Sequence, residues 1–407
     1  MISTGVTGQR WRAEVTDRGH VRTAEHDVGW AVAAEDRWHV AADEVAVRQQ
    51  RIEGAPVVET RMRVLDGDAV HRAWSVADHG GVTLIEIEND SPLPIAAALF
   101  GAPLATDRPP SSVPPQGIEL PADAIVLPVA HRTRVRVAIA HEPAAAGRVV
   151  PGQLPDPLAV ARGWRQTAEA ASRLVLPDPA LVDAVVAARC DLLLDGPALD
   201  DPLNTLFDIA ELVRLGEPAD VWAAEIVEPV AAVARRDDPA VDDALVALVR
   251  MANHGDDGVA ARDLRRLLKR RRRDGRASGD RGLGSLATVQ RGASAGRFVG
   301  DVERFLAADG VLLPAGIPAG WRGANFEVYT LPVGADTAVS YAVRWHGERP
   351  AVLWEQHGAP TEILAPAVDP DWRTRDVKGE ALWRAPRGAR ALQLGERLDL
   401  PDGGDIS

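Results

Sequence analysis

Apolar and polar residues alternate along most of the chain up to residue 150, and this period of two predicts β-strands. Gly, Asp and Pro interrupt the strands at short intervals, which indicates an antiparallel sandwich. In residues 81–90 the alternation changes phase once, so we expect either a bulge or a strand end that is buried on both faces. The proline-rich residues 107–117 predict a surface loop.

The pattern changes after residue 150, where apolar residues recur at the spacing of a helix. Leu203, Leu206 and Val213, for example, share one helical face. Several of these segments open with Asp-Pro, because Asp caps the free N–H groups of a helix start and Pro suits the first helical position. The close spacing of the starts predicts an array of helical hairpins. The starts are Asp156-Pro157, Asp178-Pro179, Asp201-Pro202 and Asp238-Pro239, and Glu217-Pro218 repeats the pattern.

A second set of strands begins after residue 322 and ends with a predicted strand at 390–396. Its clearest element is YAVRWHGERPAVLWEQHG at 341–358, where two alternating segments flank a Gly-Glu-Arg-Pro break. We expect a hairpin with one face on a core. The tryptophans of this region are interpreted as core residues, with a sugar-binding surface as the alternative. They are Trp321, Trp345, Trp354, Trp372 and Trp383.

The order of strands, helices and strands predicts a multidomain α+β fold. Its parts are an N-terminal antiparallel β-sandwich at 1–150, a central α-helical hairpin domain at 151–312 and a small C-terminal β domain at 313–407. A loop rich in Gly and Arg at 270–296 interrupts the helical domain.

Composition narrows the class of protein. The chain has 407 residues and a net charge of −13, which disfavours a general nucleic-acid binder because phosphate contacts need a basic face. Its one cysteine, Cys190, cannot form an internal disulfide and is expected to be a small buried residue. No secretory signal is visible, and no uncharged apolar stretch approaches the roughly 20 residues of a membrane helix. We therefore expect a cytoplasmic protein without membrane contact.

The succession of a β-sandwich, helical hairpins and a compact β domain containing VSYAVRWHGERPAVLWE resembles the layout of the six-hairpin glycosidases. These are α/α-toroid glycoside hydrolases and phosphorylases, many with an N-terminal supersandwich. The resemblance covers the whole chain as architecture, and no catalytic signature matches residue by residue. It implies a partial α/α toroid and glycan hydrolysis or binding in a carboxylate-lined cleft of the helical domain. Residues 155–310 hold fewer helices than a complete toroid, so a reduced, non-catalytic relative is an alternative.

Glycoside hydrolysis uses two carboxylates that flank the scissile bond. In the family that the chain resembles, substrate enters at helix ends and their connecting loops, so loop and cap carboxylates are the candidates here. Glu225 and Glu228 lie one helical turn apart and could share a proton or bind a cation, although an outward charged face is the simpler interpretation. The predicted catalytic residues are Asp201, Asp256 and Glu225.

Sugar binding also needs a stacking surface with hydrogen-bonding groups beside it. Trp164 and Arg165 provide such groups on the first helix, with core packing as the alternative for Trp164. A polar stripe of Asn204, Asp208 and Glu211 lies opposite the apolar face of its helix, and a solvated face is its simpler interpretation. The predicted substrate-binding residues are Trp164, Arg165, Asn204, Asp208 and His254.

Patterns for other chemistries are weaker. GASAG at 292–296 matches G-x-S-x-G with Ser294 at the nucleophile position, but a poor strand precedes it. GLGSLA at 282–287 is the nearest dinucleotide-binding pattern, and it follows a basic loop instead of a strand. His346 and His357 lack a third metal ligand. We therefore predict neither a metal nor a cofactor.

The basic segment from Arg262 to Arg276, RDLRRLLKRRRRDGR, is the sharpest charge feature of this acidic chain. Its leucines mark an amphipathic helix whose basic C-terminal end is favoured by the helix dipole, so a solvated helix end is the simplest interpretation. The alternative to a carbohydrate-active protein is a non-enzymatic scaffold that binds a protein or polyanion through the helical array and this segment. Specific nucleic-acid recognition is not expected.

Overall fold

The computed structural model describes residues 1–113, 115–275 and 294–386. It has a mixed α+β fold with eight α-helices and several antiparallel sheets in these residues, which confirms the predicted class. The described residues divide into two compact units, one formed by 1–113, 115–173, 178–275 and 294–302 and the other by 174–177 and 303–386. The division into three domains stays a prediction.

Two antiparallel sheets form the first part of the first unit. Their strands are β1 (Ile2–Gly5), β2 (Arg12–Val15), β3 (Val21–Arg22), β4 (Asp27–Ala33), β5 (Trp38–Val40), β6 (Val47–Arg51), β7 (Val58–Val64), β8 (Gly67–Val76), β9 (Val82–Asp90), β10 (Ile95–Phe100), β11 (Ala105–Thr106), β12 (Ile125–Val129) and β13 (Arg134–Ala140). The seven-stranded sheet has the order β1-β2-β3-β4-β10-β12 with β5 beside β4, and the six-stranded sheet has the order β11-β13-β9-β8-β7-β6.

The two sheets share one hydrophobic core, to which Trp30 of β4 and Ile85 and Ile87 of β9 contribute. The phase change predicted at 81–90 has its cause in burial, because nearly every residue of β9 is buried and its pairing with β8 and β13 runs without a shift. The bulge alternative is therefore wrong. The described part of 107–117 contains no strand, as predicted.

The helices of the chain begin where the Asp-Pro pattern predicts. Asp156, Asp178, Asp201 and Asp238 each accept a hydrogen bond from a backbone N–H in the first turn, and Pro occupies the first helical position. Glu217 differs, since it accepts a hydrogen bond from a tryptophan instead of capping. The helices are α1 (Pro157–Ala168), α2 (Pro179–Asp195), α3 (Pro202–Arg214), α4 (Ala219–Trp222), α5 (Val227–Val233), α6 (Pro239–His254), α7 (Gly258–Arg273) and α8 (Ala295–Leu306).

The polar stripe of α3 faces the protein interior, so its interpretation as a solvated face is wrong for two of its three residues. Asp208 and Glu211 are buried because α3 packs against α2, α5 and α6. Glu211 Oε1 lies 2.7 Å from Nε of Arg189, which is itself buried and also donates to the Ser172 carbonyl at 2.8 Å. This pair joins α2 to α3.

The outer face of the six-stranded sheet carries a row of alternating charges. Glu59, Arg72, Glu86 and Arg136 are successive cross-strand neighbours on β7, β8, β9 and β13. Arg72 donates to Glu59 at 2.8 Å and to Glu86 at 3.1 Å, and Arg136 donates to Glu86 at 2.7 Å. Burial opposes ionisation of Glu59, but its hydrogen bonds with Arg61 and Arg72 outweigh this and lower its pKa. We call the four cross-strand residues the charged row.

The second unit contains the predicted hairpin, formed by β18 and β19 around a turn at Gly347 and Glu348. Trp354 and Trp383 are buried, and the ring of Trp372 lies 5.4 Å from each of them, so these tryptophans pack in a core. The predicted strand at 390–396 lies outside the described residues. The strands are β14 (Arg173–Val175), β15 (Ala307–Ala308), β16 (Val311–Leu312), β17 (Phe326–Pro332), β18 (Thr337–His346), β19 (Arg349–Gly358), β20 (Ile363–Ala365), β21 (Asp369–Thr374) and β22 (Lys378–Leu382).

Removing the charge of Glu86 tests the energetic role of the charged row. Glu86 is fully buried, so we expect Glu86→Gln to lower the free energy of unfolding by about 3–5 kcal/mol, because Arg72 and Arg136 keep buried charges without this partner. Glu88→Gln is the matched control two residues along the same strand, where the side chain is 34% exposed, and should cost about 1 kcal/mol or less. Urea unfolding measures the free energy of unfolding of both variants. Equal losses would contradict the expectation that the buried charge of Glu86 stabilises the sheet more than the exposed charge of Glu88.

Candidate functional site

A cleft of about 360 Å³ lies between the start of α3 and the segment that joins α4 to α5. It brings together Glu225, which the sequence analysis selected as catalytic, and its neighbour Glu228. We call it the helical cleft. Besides these two carboxylates its lining consists of Pro197, Leu199, Pro202, Thr205, Ile209, Trp222, Ala224, Pro229 and Ala232.

Trp222 is the aromatic surface of the helical cleft and is not among the site residues predicted from the sequence. Its indole Nε1 donates to Glu217 Oε2 at 2.7 Å, and part of the ring packs against a buried cluster that includes Leu192 and Leu212. These contacts fix the orientation of the half-buried ring. The position of Trp222 one turn before Glu225 was the one signal in the sequence that could have indicated a role at the cleft. The sequence did not show which side of the short helix faces the cleft.

Glu225 and Glu228 are both exposed at the wall of the cleft. Glu225 lies between α4 and α5, and Glu228 lies in the first turn of α5. Within the part of the chain that the structure describes, neither carboxylate accepts a hydrogen bond or forms an ion pair with another side chain. Both therefore have their oxygens available to a ligand, beside the apolar surfaces of Trp222 and Leu199.

Asp201 and Asn204 lie beside the helical cleft, since their neighbours Pro202 and Thr205 line it. The side chain of Asp201 accepts hydrogen bonds from the backbone N–H groups of Leu203 and Asn204, and Arg236 lies 3.4 Å away. The hydrogen bond from Asn204 is the largest cause of the lowered pKa of Asp201. A carboxyl group held ionised in this way suits a helix cap better than a proton donor.

Asp208 faces the interior, where three groups of the protein donate to its oxygens. The donors are the backbone N–H of Ala198 at 2.9 Å, the hydroxyl of Ser294 at 2.8 Å and the backbone N–H of Gly296 at 2.7 Å. Burial raises the pKa of Asp208, while these hydrogen bonds act in the opposite direction. Ser294, considered above as a nucleophile, is itself buried and accepts from the N–H of Arg297 at 3.0 Å. These contacts explain both residues as structural.

The other predicted site residues lie in two different places. His254 is the exposed last residue of α6, and Asp256 is exposed in the turn that follows, where it has a positive φ of 54° and its neighbour Asp257 caps α7. Trp164 packs against three buried clusters, as its core interpretation predicts. Arg165 donates to Glu169 at 2.8 Å. The helical cleft thus includes Glu225 and borders Asp201 and Asn204, but its lining does not include these four residues.

The basic segment is helical to Arg273, and Arg276 lies outside the described residues. Arg271 is buried: its Nε lies 2.7 Å from Asp242 Oδ1, and it donates to the carbonyls of Ala234, Arg236 and Asp238. The other seven described cations of the segment are exposed, and five of them follow one side of α7 at helical spacing. The five are Arg262, Arg266, Lys269, Arg270 and Arg273, and the other two are Arg265 and Arg272.

The remaining candidates have no site around them. His357 is exposed and shares a hydrogen bond of 2.9 Å with Ser340, and His346 is at the end of β18. In 1–113, 115–275 and 294–386, no three His, Cys, Asp or Glu side chains are placed to hold a metal ion. Burial raises the pKa of the Cys190 thiol to about 12, as expected for a residue of the core. GLGSLA lies outside the described residues.

No protein-family model matches the chain, and no curated protein matches it significantly. No helix among the described residues combines the length and the apolar character needed to cross a bilayer.

Two neighbouring arginines of α7 allow the contribution of a buried charge to stability to be compared with that of an exposed charge. We expect Arg271→Ala to lower the free energy of unfolding by about 3–5 kcal/mol, because Asp242 is left buried without its closest partner. Arg270→Ala removes the same charge from an exposed position and should change stability by about 0.5 kcal/mol or less. Urea unfolding followed by tryptophan fluorescence compares the two, and an equal effect would show that the buried pair does not stabilise the helices.

Proposed function

We propose that this is a carbohydrate-active protein that binds a glycan in the helical cleft, either as a glycoside hydrolase or as a non-catalytic relative. One observation carries the proposal: Trp222, Glu225 and Glu228 line the same cleft of the helical region. The predicted resemblance to six-hairpin glycosidases, with the helices as a partial α/α toroid, supports the same class of ligand.

The chemistry of the helical cleft fits a sugar ring. An indole face packs well against the apolar C–H face of a sugar, and carboxylates accept hydrogen bonds from its hydroxyl groups. The hydrogen bond to Glu217 and the packed edge hold Trp222 in place before a ligand arrives, which reduces the entropic cost of binding. Hydrolysis would further require that one of Glu225 and Glu228 holds a proton while the other acts as base or nucleophile.

A titration of neutral oligosaccharides tests the proposal. Maltodextrins, β-glucans and trehalose would be titrated calorimetrically, and any ligand that binds would then be assayed for cleavage. We expect Trp222→Ala to weaken binding about tenfold, because the stacking surface is lost, and Trp222→Phe to retain most of the affinity. Glu225→Gln should also weaken binding, whereas Asp220→Asn, an exposed neighbour that does not line the cleft, should not.

Two results would contradict this proposal. One is that no glycan of the panel binds. The other is that Trp222→Ala binds as tightly as the unchanged protein, which would place the ligand outside the helical cleft. Binding without cleavage would support the non-catalytic alternative within the proposal.

A second candidate function follows from the exposed cations of α7. We propose as the alternative that this face binds an anionic partner, either a polyanion or an acidic protein, in a scaffold that is not an enzyme. The observation that favours it is the stripe formed by Arg262, Arg266, Lys269, Arg270 and Arg273.

Retention on a heparin column measures how strongly the exposed cations of α7 bind a polyanion. The double change Arg266→Glu and Arg270→Glu should lower the salt concentration at which the protein elutes, because it reverses two charges at the centre of the stripe. Arg162→Glu with Arg322→Glu is the control, since both are exposed arginines outside α7. Equal loss of retention in the two double variants would assign binding to net charge alone and overturn this alternative.

A further inference from the structure

Two histidines of the first unit have rings that the two sheets and their loops remove from water. His71 lies in the middle of β8, and it is only 1% exposed. His141 follows β13 directly and is half-buried. Neither residue lines the helical cleft or belongs to α7, so the functions proposed above use neither of them.

His71 lies on the inner face of the six-stranded sheet. Its cross-strand neighbours are Thr60 of β7 and Ile87 of β9, and its ring centroid lies 5.0 Å from that of Trp30 on the other sheet. Its Nδ1 atom is shielded from solvent and has no hydrogen-bond partner among the described residues. A protonated imidazole has an N–H at both nitrogens, so protonation would place a charge and an unsatisfied donor in the core.

The charged groups around His71 do not compensate a positive ring. Arg72 and the rest of the charged row lie on the opposite face of the sheet, because successive strand residues point to opposite faces. Burial is the largest cause that lowers the pKa of His71, and the charge of His20 lowers it further, to about 3. The ring's interaction with its own backbone acts against these causes without offsetting them. The carboxylate of Asp27 lies 3.7 Å from His20 and is 52% exposed.

His141 is enclosed by uncharged partners. Its ring stacks on Trp11 with a centroid distance of 4.0 Å and an angle of 18° between the planes. Its Nε2 shares a hydrogen bond of 2.8 Å with the hydroxyl of Thr83, which in turn lies 3.0 Å from the hydroxyl of Ser75. Both hydroxyl residues are buried, so the ring of His141 is joined to the interior of the sheet through neutral groups.

The charged side chains near His141 do not offset its burial. The carboxylate of Glu142, the next residue, lies against a glycine of the turn after β8, and Asp78 and His79 of that turn are exposed. Arg12, which follows Trp11, donates to backbone carbonyls. Burial is the cause that lowers the pKa of His141 to about 4.

Both lowered pKa values make the folded first unit less stable in acid. Above about pH 6.5, the ordinary pKa of histidine, the rings are neutral in the folded and the unfolded chain, and their burial costs no proton. Below this pH the unfolded chain binds a proton at each ring, whereas the folded chain does not until the pH approaches the lowered pKa values of His71 and His141. Stability is therefore lost as the pH falls through this range.

We propose that His71 and His141 form an acid-sensitive element of the first unit, which keeps the two sheets closed near neutral pH and lets them open in acid. Opening would replace two buried neutral rings by two solvated, protonated rings. The element does not rest on the function proposed for the helical cleft, since it depends only on contacts within the sheets and their loops.

Amide hydrogen exchange of the full-length protein, followed by mass spectrometry, measures this opening in peptides from β4 and β8. After correction for the intrinsic exchange rate, the two histidines should together raise the opening constant by up to about a hundredfold per pH unit between about pH 6 and pH 5, because two protons are taken up. Buried carboxyl groups with raised pKa values, among them Asp183, Asp195 and Asp208, bind protons in the folded state and act in the opposite direction.

Variants separate the histidines from this background, which all of them share. His71→Phe and His141→Phe keep an aromatic ring and remove the ionisable one, so each should reduce the pH dependence by about tenfold per pH unit. The double variant should lose both contributions. His254→Gln removes an exposed ring at the end of α6 and is the control, which should keep the full dependence.

A second measurement does not need a core variant to fold. Histidine ring signals in the NMR spectrum of the unchanged protein should show His71 and His141 neutral from about pH 7 to about pH 5 for as long as the sheets are closed. Protonation of either ring in the folded protein within this range would overturn the proposal. So would a double variant that opens with the same pH dependence as the unchanged protein, or a control that loses as much of it as His141→Phe.

Discussion

A guanidinium or carboxylate group that leaves water loses much of its hydration free energy, and a fold tolerates this only where a partner and further hydrogen bonds replace the water. The first unit meets this condition at three places. Glu86 links β8, β9 and β13, Arg189 links α2 to α3 through Glu211, and Arg271 links α7 to α6 through Asp242. Each pair joins different strands or helices, so removal of one partner leaves an uncompensated charge buried where these elements pack.

Local signals predicted much of the fold. An Asp-Pro start needs only the first turn of its own helix, and the four such helices begin where the sequence places them. The hairpin at 337–358 likewise depends on adjacent strands and a glycine turn. The burial of Asp208 and Glu211 was not predicted because their partners lie outside α3. Arg189 of α2 binds Glu211, whereas Ala198, Ser294 and Gly296 donate to Asp208, and helical periodicity does not reveal which neighbours cover a polar face.

The helical cleft was predicted in part. Glu225 was selected from its spacing to Glu228, while Trp222 and Leu199 were missed because a cleft forms only when the start of α3 and the α4–α5 segment approach each other. Asp201 was selected as a catalytic residue and was also predicted as a helix cap from its Asp-Pro pattern. The structure confirms the cap, and the backbone N–H groups of the first turn lower the pKa of its carboxyl group.

Residue type alone does not separate carboxylates that the protein satisfies with hydrogen bonds from those that have only a distant partner. Glu86 and Glu53 are the same residue type and line one groove of the first unit, but arginine hydrogen bonds satisfy Glu86, whereas Glu53 has only a distant ion pair. A carboxylate that is satisfied by the protein stabilises the sheet and has little left to offer a ligand. Glu53 is held instead by a backbone of positive φ in a loop that lies against Asp183, where its nearest cation is Arg165 at 3.8 Å. The partners of each carboxylate come from strands, loops and helices that meet only in the folded chain, so its role cannot be inferred from residue type.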